Sequence, residues 1–78
     1  MSRESLIDEV LSLVSGVLKR PVDQRAELGK TERWDSVRHI QIVLALEKRF
    51  NVRMRPRHIS ALTTIPAILD YLMEEGVH

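Results

Sequence analysis

Cysteine is absent from the 78 residues, which excludes disulfides, thiolate metal sites and a cysteine nucleophile. Any thiol chemistry must come from a group attached later. Aromatic residues are scarce, with one Trp, one Tyr and one Phe, so the stacking platform of a single-stranded nucleic-acid binder is not expected. Charge of one sign is also lacking: the net charge is +1, too small by itself to argue for nucleic acid. No apolar run approaches the roughly 20 residues a membrane span needs. Met1-Ser2-Arg3-Glu4-Ser5 leads straight into an amphipathic pattern, so neither a secretory signal nor a span is expected, and a cytoplasmic location follows by default. What remains, 44% hydrophobic and 29% charged residues, is the composition of a folded globular chain. Its length allows one core, so residues 1–78 are expected to form a single domain.

The apolar residues Ile7, Val10, Leu11, Val14 and Leu18 recur at three-and-four spacing, with Leu6, Leu13 and Val17 broadening the stripe. This predicts a helix from a Ser2 or Ser5 cap to about Lys19, stopped by Pro21. Residues 20–35 show no period and hold Pro21 and Gly29, which predicts a long connection with Leu28 and Trp34 as its anchors. A second helix is predicted from Asp35-Ser36 through Phe50, with Asp35 as cap. It carries two apolar stripes: Ile42 or Val43, Leu46 and Phe50, with His39 a turn earlier, and then Val37, Ile40 and Leu44. The first predicts a core face, and the second must meet something else.

Beyond Asn51, a suitable C-cap, Val52 and Met54 re-enter the core, and Pro56 opens a short helix over 56–62 with Ile59 and Leu62 facing inward. Thr63-Thr64 offers a cap for a last helix that has Pro66 in its first turn, buries Ile65, Ile68, Leu69 and Leu72 and ends at Gly76. No strand pattern emerges. The fold class is therefore all-α, three major helices and one short one, with a long loop between the first two.

Charge is unevenly placed along this plan. Between residues 36 and 60, Arg38, Lys48, Arg49, Arg53, Arg55 and Arg57 face Glu47 as the one acidic residue. Arg53, Arg55, Arg57 and His58 alternate with Val52, Met54 and Pro56, as a solvated edge over a buried one does. A docking surface or an anion site are the functional readings of the same pattern.

The stretch Trp34-Asp35-Ser36-Val37-Arg38-His39-Ile40, followed by Ala45-Leu46-Glu47 and Phe50, resembles the acyl carrier protein family, whose signature is Asp-Ser-Leu opening the second helix. Val37 stands in the third place here. Leu28-Gly29 ahead of the signature, Thr63-Thr64 before the last helix and Tyr71 within it extend the resemblance over nearly the whole chain. It implies that Ser36 receives a 4′-phosphopantetheine group from coenzyme A through a separate magnesium-dependent phosphopantetheinyl transferase, with Asp35 assisting the magnesium in that complex. It also implies an acyl pocket lined by Leu28, His39, Ile42, Leu46, Met54, Leu62 and Ile68, and a docking surface of Val37, Arg38, Ile40, Gln41, Leu44 and Lys48.

The expected protein is then a non-enzymatic, monomeric carrier of acyl thioesters for lipid, fatty-acid or polyketide enzymes, with no metal of its own. Usual members have an acidic second helix, so this basic one points to partners with acidic or mixed surfaces. Read without the resemblance, Ser36 is a capping hydroxyl or a serine nucleophile near His39, and His39 is a packed, hydrogen-bonded core residue or the rim of a pocket. The competing function is a helical interaction or nucleic-acid-binding module that uses the basic 38–58 stretch.

Overall fold

A computed structural model describes residues 3–77, in the order α1 (Arg3–Leu18), α2 (Ser36–Phe50), α3 (Pro56–Ala61) and α4 (Ile65–Glu74). The all-α expectation holds, and among the described residues the nearest thing to a strand is a single bridge between Glu27 and Thr64. α1 packs against α2 and α4. Its fully buried line is Leu6, Val10, Val14 and Leu18, at strict four-residue spacing. Ile7 and Leu11, expected at the centre of that stripe, flank it half-buried. Burying each of these large aliphatic side chains contributes about 1.5–3 kcal/mol, which is what orders a helix of this length.

The ends of α1 correct the expected boundaries. Ser5 lies inside the helix rather than capping it, and the alternative cap, Ser2, lies outside the described residues. At the other end Lys19 adopts a left-handed φ of 57°, so the last helical residue is Leu18. Ser15 then fastens the departing chain, its Oγ accepting from the Val22 amide at 3.2 Å.

The connection between α1 and α2 is ordered by its own hydrogen bonds. The Glu27 amide donates to Thr31 Oγ1 at 2.7 Å, and the Gly29 amide donates to the Trp34 carbonyl at 3.0 Å. Gly29 has φ 85°, a value that favours glycine because no Cβ is present to clash. The Leu28 amide donates to the Thr63 carbonyl at 2.9 Å, which ties the loop to the link between α3 and α4. Both expected anchors touch the core, Leu28 lying against it half-buried and Trp34 inserted into it, and Ala26 enters it as well.

α3 spans Pro56–Ala61 with Leu62 as its C-cap, one residue shorter than expected, and Ile59 on it is half-buried. Thr64 caps α4, its Oγ1 accepting from the Ala67 amide at 3.2 Å. Ile65, Ile68, Leu69, Tyr71 and Leu72 are buried from that helix. Phe50, expected in the core stripe, is half-buried, with the Arg49 guanidinium 5.4 Å from its ring centroid.

Candidate functional site

α2 separates its two apolar stripes. His39, Ile42, Val43 and Leu46 are buried, whereas Val37, Ile40 and Leu44 are 62%, 47% and 59% exposed, the large hydrophobics left uncovered among the described residues. The uncovered stripe follows directly from Ser36, the first residue of α2, itself exposed. Arg38, Gln41 and Lys48 lie beside it, Arg38 half-buried and the other two exposed. Glu47, on the same helix, is taken up elsewhere: its Oε2 accepts from the Met54 amide at 2.8 Å.

Asp35 holds the N-cap. Its Oδ1 accepts from the Arg38 amide at 2.9 Å, and its Oδ2 faces the Arg38 guanidinium at 3.5 Å. The Ser36 hydroxyl has no hydrogen-bond partner among the described residues, nor do the amides of Ser36 and Val37. These unpaired donors, with the positive pole of the helix, favour an anion at this end of α2. Among the described residues no three or more His, Cys, Asp or Glu side chains gather as a metal site would need.

Directly beneath this end lies a polar tie inside the core. The Trp34 indole donates to His39 Nδ1 at 3.1 Å, and both side chains are almost wholly buried. An indole N–H is a donor only, so Nδ1 accepts and Nε2 carries the proton, which goes to the Ile59 carbonyl at 2.7 Å. One imidazole thereby joins the loop, α2 and α3. A packed, hydrogen-bonded His39 is what the geometry shows. Just before Trp34, Arg33 takes a left-handed φ of 73°, an uncommon conformation for a residue with a Cβ.

Of the residues expected to line an acyl pocket, Ile42, Leu46, Met54, Leu62 and Ile68 are buried in the one core, His39 among them, and Leu28 stands at its edge. Sequence reading missed the Ile59 carbonyl as a partner of His39 and the claim of Glu47 on the 51–55 connection. Neither leaves a periodic signal.

α3 is fixed on its other side by α4. The His58 and Tyr71 rings lie 4.7 Å apart, and the Tyr71 hydroxyl donates to the Arg53 carbonyl at 2.6 Å. Burial, with the charges of Glu75 and Glu47, raises the Tyr71 pKa above its ordinary 10.0, against the opposing pull of Arg55 and Arg57. No helix among the described residues is long and apolar enough to cross a membrane.

Residues 8–72, which include the whole of α2 and α3 and the exposed Ser36, match the family described as the phosphopantetheine attachment site. Over 77 residues the chain is 26% identical to an acyl carrier protein of Cyanidioschyzon merolae, across 95% of this chain and 85% of that protein. With residues 8–72 of its 78 matched, the chain belongs to the phosphopantetheine-attachment family of acyl carrier proteins, and its prosthetic group is covalent 4′-phosphopantetheine.

Proposed function

We propose that Ser36 is the residue that carries the arm, and that residues 1–78 act as one monomeric carrier unit delivering acyl groups to lipid, fatty-acid or polyketide enzymes. The observation that carries this reading is the exposed Ser36 hydroxyl, free of any partner among the described residues, at the first position of α2. The residues there fit a phosphodiester. Unpaired amides of Ser36 and Val37 and the nearby Arg38 guanidinium face a group of one negative charge, and the hydroxyl need break no internal bond to react. When bound, the arm supplies a terminal thiol that holds the acyl group as a thioester, which matches a chain without cysteine. Asp35 orients the helix end as its cap and adds one carboxylate to the magnesium site of the transferase complex.

Val37, Ile40 and Leu44 form the apolar centre of the docking surface, with Arg38, Gln41 and Lys48 as its rim. Client enzymes perform the chemistry. Leu28, His39, Ile42, Leu46, Met54, Leu62 and Ile68 line the space into which an acyl chain withdraws, entering between α2 and α3 where His39 meets Ile59.

Incubation with coenzyme A, magnesium and a broad-specificity phosphopantetheinyl transferase is expected to raise the intact mass by one arm, and Ser36→Ala to abolish that rise. A folded chain whose mass does not change overturns the assignment.

A further inference from the structure

Two surface clefts among the described residues have their charges arranged differently. One, of about 390 Å³ in the loop after α1, is lined by Arg20, Lys30 and Glu32 among others. Its cations are largely neutralised, Arg20 by Glu32 and Lys30 by Glu27. The other, of about 350 Å³, is formed by Arg53, Arg55, Arg57, His58, Tyr71 and Glu75. None of its three arginines forms an ion pair among the described residues, which is also true of the scattered Lys19, Arg25, Arg33 and Lys48, whereas Arg3, Arg20, Lys30, Arg38 and Arg49 are paired. Three guanidiniums around one cleft repel one another, and only Glu75 in the lining opposes them.

We propose that this cleft is a socket for a carboxylate-rich segment of a partner enzyme, a second contact site apart from the exposed stripe of α2. The inference rests on the carrier reading, because a carrier must be recognised by the enzymes it serves. The main chain around the cleft is fixed: the Arg53 carbonyl accepts from Tyr71, and the Arg55 amide donates to His58 Nδ1 at 3.2 Å. With Nδ1 accepting, His58 Nε2 bears the proton and adds a donor beside the guanidiniums. Guanidinium groups bind carboxylates through paired N–H donors, so the chemistry of the lining selects Asp and Glu side chains. Nucleic acid fits less well, because Tyr71, the lining ring that could serve as a stacking platform, is buried with its hydroxyl engaged.

The test uses the full chain, a decapeptide of glutamate and backbone amide NMR at low salt. Shifts are expected to concentrate at residues 53–58 and 71–75 and to fade as salt is added. Arg53→Gln with Arg55→Gln and Arg57→Gln leaves the main-chain bonds in place, and is expected to weaken the peptide by roughly tenfold or more, given three exposed ion pairs lost. Lys19→Gln with Arg25→Gln, a loss of two exposed cations elsewhere, is expected to leave peptide affinity within about twofold. Shifts centred on residues 37–48, an unaffected triple variant, or tighter binding of a single-stranded oligonucleotide or of inorganic phosphate would each overturn the socket. Transferase loading of the same triple variant separates the two claims. Full loading without peptide binding removes the socket and leaves the carrier reading standing, and failure of Ser36 to load removes the carrier reading itself.

Discussion

Asp35 has a main-chain role and an electrostatic one, and two substitutions separate them. Asp35→Asn keeps an oxygen able to accept from the Arg38 amide, so stability to urea is expected to change little, whereas Asp35→Ala loses the cap and about 0.5–2 kcal/mol. Arm loading is expected to fall in both variants, because both lack the carboxylate. Normal loading of Asp35→Asn would show that the aspartate only caps. At Tyr71 the sign of the pH effect is fixed by the raised pKa. The phenol donates to the Arg53 carbonyl only while protonated, so its stabilisation is complete below about pH 10, the unfolded value. It is lost as pH climbs through the higher folded value. Stability is therefore expected to fall more steeply above pH 10 in the unmodified chain than in Tyr71→Phe, and parallel curves in urea titrations at several pH values would contradict this.

Among the elements, α2 shows most clearly what the sequence makes legible. Its limits, its aspartate cap and its two stripes are all local, since a cap and a three-and-four period need only neighbours along the chain. The place of Ser36 as the first residue of α2 was legible for the same reason. The relation of Trp34 to His39 was not, because Trp34 sits in an aperiodic loop and its partner is chosen by how that loop crosses the bundle. Which of Leu6 and Ile7 is buried depends on the angle at which α1 meets α2 and α4, and a broad stripe does not disclose it. The arginines of residues 53–57 were visible as an alternating run, but α4 brings Tyr71 and Glu75 to them, and that contact is tertiary. The basic rim of α2 leads to a further expectation. Arg38→Glu with Lys48→Glu, charges placed where the usual family helix is acidic, is expected to slow transfer by the enzymes dedicated to this carrier severalfold at low salt, and less at high salt. Unchanged steady-state kinetics at low salt would remove these residues from the docking surface.

The molecule as a whole extends about 30 × 26 × 18 Å, and a chain of this size has a total stability of about 4–12 kcal/mol at the usual per-residue range. Leu46, fully buried on α2, is expected to cost about 2–5 kcal/mol on replacement by Ala. That is a large share of the whole, and it is measurable as a shift of the urea midpoint. Trp34→Phe removes the donor that His39 Nδ1 accepts, and is expected to cost about 1–3 kcal/mol for the buried group left unpaired. Because that indole is the chain's sole tryptophan, two positions before Ser36 and joined through one imidazole to α3, its ultraviolet emission is a built-in optical gauge. A cargo that parts α3 from α2 changes the surroundings of this single fluorophore, so occupancy of the interior becomes readable in solution without attaching a dye.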